Sequence, residues 1–238
     1  MGKKSRLKRE RKLSNEKNDF MKKLYTIDRY NQPIYRFFPE KWQAEALCSG
    51  RIWVSTLEAC RGYEDPLQGD AEEATQTYHS GEISGGSDDK DFVEMAYRSG
   101  ISIGPGCSQI SIGNAQSTTK LPDAYVLCTT KDYSPDDLSE TFGKYCVRIS
   151  NPAEFFKLAS VALNNHSAIS DGAMGLVQYK DRSYKGMESP PGPIGFVKPC
   201  DKYAPQKEFR MLWIPKESKA LTPFLLNCTD VSSLCSEV

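Results

Sequence analysis

Ile34-Tyr35-Arg36-Phe37-Phe38, the run Pro39–Cys48 behind it, and Ile52-Trp53-Val54-Ser55 together decide the fold class. The first run is dense in β-branched and aromatic residues and reads as a strand. Pro39 suits the first turn of a helix that runs from Glu40 to Cys48, and Ser49-Gly50 stops it. The second strand follows after only about a dozen residues, so the connection holds a short helix. Working outward, further strands are expected at Ala124–Thr129, Tyr145–Ile149, Gly175–Tyr179, Gly195–Lys198, Glu208–Trp213 and Pro223–Asn227. Ser134-Pro135-Asp136-Asp137 starts a helix with a cap, a proline and acids in its first turn, and Pro152 opens another that reaches Asn164. Tyr63-Glu64-Asp65-Pro66 reads as a turn into a helical stretch ending near Tyr78. Residues 80–90, rich in Gly, Ser and Asp, read as a mobile loop. Ile101-Ser102-Ile103 and Ile110-Ser111-Ile112 alternate around Gly104-Pro105-Gly106 and suggest a hairpin. Many strands with few long helices make the class α+β, with mixed, mostly antiparallel sheets and short helices.

Composition narrows the function. The chain has 238 residues, 39% hydrophobic and 26% charged, enough for a core and neither disordered nor fibrous. Its formal net charge is zero, which excludes nucleic-acid binding by the bulk charge of the whole domain. No run approaches the roughly 18 apolar residues of a membrane span, and no apolar leader is visible, so a cytoplasmic protein is expected. The division expected is a basic N-terminal segment, 1–24, followed by one α+β domain, 25–238. Residues 1–12 carry seven bases and one acid. Lys3, Lys4, Arg6, Lys8 and Arg9 are either a solvated tail or an arm that seeks the phosphates of RNA or DNA.

Eight cysteines and two histidines, His79 and His166, show no ligand spacing for zinc, so no metal is expected. Cys128 and Cys146 lie inside apolar runs and read as small buried hydrophobes. The chain lacks a Walker loop, a nucleophile elbow, a zinc-protease helix and a dinucleotide glycine fingerprint. Catalysis therefore falls to carboxylates, arginines and hydroxyls.

Gln206-Lys207-Glu208-Phe209-Arg210 is where such groups concentrate. Read as a strand to Trp213, it turns Phe209, Met211 and Trp213 to the core and sets Gln206, Glu208 and Arg210 on the other face. That row is either a solvated surface pair or the lining of a polar cleft. Arg36, flanked by aromatics on the first strand, needs a structural acid or a ligand. Ser55 and Thr56 add hydroxyls at the end of the second strand.

Arg36, Ser55-Thr56 and Gln206-Lys207-Glu208 resemble the Arg–Ser–Glu layout of the ADP-ribosyltransferases. The resemblance implies an ADP-ribosyltransferase-like fold with NAD as cofactor, bound by Arg36, Ser55, Thr56 and Trp53. It implies Glu208 as the catalytic carboxylate on the ribose 2′-hydroxyl, with Gln206 orienting the acceptor. Loss of nicotinamide leaves an oxocarbenium-like sugar that a carboxylate stabilises. Leu57 stands where a third Ser-Thr-Ser member belongs. Across roughly residues 30–215 the chain also resembles an uncharacterised bacterial family with an aromatic-Asn-Asp-Pro box, frequent among phage-defence and toxin-like genes; here Glu64 replaces the Asn. An acceptor among RNA, DNA or protein is implied, as is an antitoxin or inhibitor partner for a toxin.

Two other functions compete. One is a non-enzymatic nucleic-acid-binding or regulatory module dominated by residues 1–12. The other is a metal-dependent nuclease using Asp65, Asp70, Glu72 and Glu73. The transferase reading requires Arg36 and Glu208 to converge in one cleft.

Overall fold

The computed structural model describes residues 20–65 and 68–238. In chain order its elements begin with β1 (Leu24–Thr26), β2 (Ile34–Phe38), α1 (Lys41–Cys48), β3 (Arg51–Thr56) and α2 (Leu57–Arg61). β4 (Thr75–His79), β5 (Glu82–Gly85), α3 (Lys90–Arg98), β6 (Ile110–Gly113) and β7 (Gln116–Lys120) follow. Next come β8 (Tyr125–Thr130), α4 (Pro135–Phe142), β9 (Tyr145–Ile149), α5 (Pro152–His166) and β10 (Ile169–Leu176). The chain closes through β11 (Gln178–Tyr179), β12 (Ser183–Lys185), β13 (Val197–Lys198), α6 (Cys200–Tyr203), β14 (Glu208–Pro215), β15 (Phe224–Asn227) and β16 (Cys235–Glu237). The class is α+β, rich in sheet and short in helix, as expected.

The sequence reading kept residues 25–238 together, whereas the contacts form two compact units. The first comprises residues up to Asp70, Asp123–Leu176 and Pro205–Val238; the second comprises Ala71–Pro122 and Val177–Ala204.

In the first unit a nine-stranded sheet runs in the order β1-β10-β14-β8-β2-β9-β16. Its pairs are antiparallel except β1 on β10. β14 is central and wholly apolar on one face: Phe209, Met211 and Trp213 enter the core with Leu127, Ile34 and Val147. α5 packs there through Phe155, Phe156 and Ala159. Trp213 stacks on Phe156 at 5.4 Å, and its Nε1 donates to Ser160 Oγ at 2.7 Å. α5 starts where Asn151 caps it, accepting from the Glu154 amide, with Pro152 in the first turn.

The sheet forks at β8. Along one side β8 pairs with β14 throughout. Along the other it pairs with β2 only at Tyr35↔Thr130, and with β3 at Ser55↔Val126 and Thr56↔Tyr125. β2 then continues into β9, and β3 into β15.

The second unit holds β12-β4-β7, β5-β6 and β11-β13. Three expectations change here. The helix foreseen up to Tyr78 is β4, because Thr75-Gln76-Thr77-Tyr78 is β-prone and Ala74, at φ 56°, ends the turn before it. Residues 82–85, expected in a mobile loop, form β5, which takes β6 as its partner. The hairpin of residues 101–103 with 110–112 is therefore absent.

Candidate functional site

The face of β14 opposite the core carries Glu208, Arg210 and Leu212. Directly across the ladder stand Thr130, Cys128 and Val126 of β8, in that order. Tyr35 extends the row beyond Thr130, and Ser55 extends it beyond Val126. Cross-strand partners share a face, so Glu208, Arg210, Cys128, Thr130, Tyr35 and Ser55 all point the same way.

This face is not a solvated surface. Glu208 is 3% exposed and Arg210 1%, and Arg210 Nε donates to Glu208 Oε1 at 2.7 Å. α2 lies against the same face, where Cys60 and Cys128 exchange a thiol hydrogen bond. That bond, burial and nearby Glu208 push the Cys128 thiol well above its usual range, so it stays protonated. Thr56 caps α2 by accepting from the Ala59 amide.

Arg36 requires a correction. By register it pairs with Val147, a core residue, and so belongs to the face opposite Glu208. Alternation along β2 dictates this once Tyr35 pairs with Thr130. Arg36 sits at the fork, however, and its Nη1 donates to the Trp53 carbonyl of β3 at 3.0 Å. Its guanidinium also lies 5.2 Å from the Phe38 ring centre. Among the described residues no carboxylate pairs with it. Burial pulls its pKa down to about 10, so it remains a cation at neutral pH; Cys128 and Tyr63 are its nearest titratable neighbours. Cys128 thus interacts electrostatically with Arg36 as well as with Glu208 and Arg210.

Ser55 is the second unsatisfied group. Its Oγ is buried and meets no hydrogen-bond partner among the described residues. Two residues back on the same strand, Trp53 is 47% exposed.

Gln206 does not lie on the strand. It ends a 3₁₀ turn, Ala204–Gln206, and Lys207 takes φ 44°, so the alternation that would align Gln206 with Glu208 is broken. Lys207 itself, its partner Asp132 at 2.9 Å, and the Cys60–Cys128 contact were missed by sequence reasoning. Nothing in the local sequence marks a left-handed lysine.

Lys3, Lys4, Arg6, Lys8, Arg9 and Pro66 lie outside the described residues. The acids of the nuclease reading are otherwise engaged: Asp65 accepts from Gln68 Nε2, and Glu73 pairs with Lys198. Among the described residues no group of His, Cys, Asp and Glu is placed to hold a metal ion, and no helix is long and apolar enough to cross a membrane.

No family model, curated protein or solved structure matches this chain.

Proposed function

We propose that the protein is an NAD-consuming ADP-ribosyltransferase or glycohydrolase that modifies a macromolecule, with Glu208 as its carboxylate. The observation that carries this reading is the fork. There a guanidinium with no carboxylate partner among the described residues donates to the Trp53 carbonyl, two residues before a serine whose buried hydroxyl meets no partner among them. A buried hydroxyl left without a partner is costly, and a phosphate or ribose offers acceptors and donors to a hydroxyl and a guanidinium alike. Arg36 has five N–H donors and spends one on Trp53, leaving capacity for an anion. Trp53 offers an exposed ring beside them.

In this reading Arg36, whose strand position is on the face opposite Glu208, serves only by reaching through the fork toward Cys128; there it and Ser55 hold the dinucleotide, and Glu208 stabilises the cationic sugar left by nicotinamide. The toxin or phage-defence setting, the cytoplasmic location and an antitoxin partner rest on the resemblance alone.

A second reading has a specific observation behind it. A carboxylate and guanidinium as enclosed as Glu208 and Arg210 also suit a structural closure in a non-enzymatic nucleic-acid-binding or regulatory module.

The two part cleanly on incubation of labelled NAD and cell extract with the wild type, Glu208→Gln and Arg36→Met, each confirmed folded by circular dichroism. The transferase reading expects label on RNA, DNA or protein with the wild type, and a loss of about a hundredfold or more in either variant. Absence of NAD turnover by the folded wild type sinks it. An activity that survives Glu208→Gln but not deletion of residues 1–12 selects the module.

A further inference from the structure

Lys207 is one of four described non-glycine residues at positive φ, and it immediately precedes Glu208. A lysine at φ 44° sits in the left-handed region that L side chains rarely adopt, and such strain persists only where the surroundings impose it. Three contacts do so. The Lys131 amide donates to the Lys207 carbonyl at 3.0 Å, and the buried Thr130 hydroxyl reaches the same carbonyl at 3.5 Å. Lys207 Nζ meets Asp132 Oδ2 at 2.9 Å. The partners are 43% and 42% exposed, so this ion pair is a weak stability device. It does not repay the strain it sits on.

Its effect is geometric. An extended Lys207 would set Gln206 on the face of Glu208 and lead β14 in one residue sooner. The left-handed turn prevents that and starts the strand with Glu208 opposite Thr130. A one-residue slip here would turn Glu208 toward the core. The Thr130–Asp132 segment that receives Lys207 is itself braced, since the Tyr30 hydroxyl donates to the Lys131 carbonyl at 3.2 Å.

We propose that Asp132 and Lys207 are positioning residues: an ionic clasp that fixes the entry into β14 and thereby sets the Glu208 carboxylate against Arg210. The proposal deepens the transferase reading by adding the two residues that aim its carboxylate, and its test stands apart from that reading.

The test compares wild type, Asp132→Asn, Lys207→Met and the charge swap Asp132→Lys/Lys207→Asp in the full chain. The Arg210 Nε proton, held in a 2.7 Å bond to Glu208, reports the carboxylate's position by its hydrogen exchange in NMR. Each single variant is expected to speed that exchange by about two- to fivefold, the weight of one half-exposed ion pair. The swap is expected to restore slow exchange. NAD turnover by the single variants should show a lower kcat at little-changed KM, with melting temperature nearly constant. Unchanged Arg210 exchange in Asp132→Asn overturns the clasp, as does failure of the swap to restore it. If exchange responds as expected but wild type consumes no NAD, the clasp stands and the transferase reading falls. If wild type turns over NAD while both single variants keep its kcat and its exchange rate, the clasp falls and the transferase reading stands.

Discussion

Glu208 and Arg210 show how far one pair of side chains depends on its surroundings. Their attraction in a dry site is large, but so is the cost of taking both from water, and the two nearly cancel. Removing one partner leaves the other charged and enclosed. Glu208→Ala is therefore expected to lower stability by about 3–5 kcal/mol in urea unfolding, whereas the double replacement Glu208→Leu/Arg210→Met recovers most of that loss. An equal loss in the double variant would mean that the site needs the charges themselves. Two thiols make a second case. Burial pushes Cys146 and Cys235 up to about 12, from an ordinary value near 9. Between those values the folded chain binds more protons than the unfolded one, so stability falls as pH rises. The urea midpoint should be flat below about pH 8 and drop steadily above about pH 9. A midpoint that holds through about pH 11 would remove these thiols from the balance.

At the scale of the element, the stop of α4 is the most constrained point. Gly143 takes φ 102°, and a Cβ there would lie 2.2 Å from the Phe38 carbonyl carbon and oxygen at the end of β2. Gly186 is also left-handed, at φ 54°, but has open space around it. Gly143→Ala should cost about 3 kcal/mol or more, and Gly186→Ala about 1 kcal/mol, in thermal unfolding. Similar costs for both would mean that β2 and α4 yield easily. Elements of this kind were largely legible beforehand. Pro39, Pro135 and Pro152 marked helix starts, and period two placed Phe209, Met211 and Trp213 on the core face. The site was legible only in part. Arg36 and Ser55 stood out as residue types, and Glu208 by its position in a polar row. That the row is buried rests on contacts between distant segments, such as Cys60 of α2 with Cys128, which leave no local signal. That Arg36 belongs to the opposite face depends on which strand β8 chooses at each end. Neither choice is encoded within the windows that form the strands.

Across the whole molecule, buried charge recurs in the second unit. Lys198 Nζ lies 3.5 Å from Glu73 Oε2 and 4.9 Å from the Tyr203 ring centre, with both charged side chains enclosed. Lys198→Met leaves Glu73 behind and should destabilise by about 3–5 kcal/mol, and adding Glu73→Gln should relieve most of it. Hydrogen exchange resolved by residue would show whether the loss stays within residues 71–122 and 177–204 or spreads to the nine-stranded sheet; only a loss confined there fits two separately packed units. The order of that sheet bears on how the protein is made. β14 is flanked by β10 and β8, both of which precede it in the chain. While a ribosome is still short of Glu208, β10 and β8 each keep one open edge facing a gap, with the core's central Phe209, Met211 and Trp213 not yet translated. Such open edges invite pairing with other chains. A chain released between Leu176 and Glu208 carries both open edges without their filler, and is a candidate for degradation rather than for partial activity.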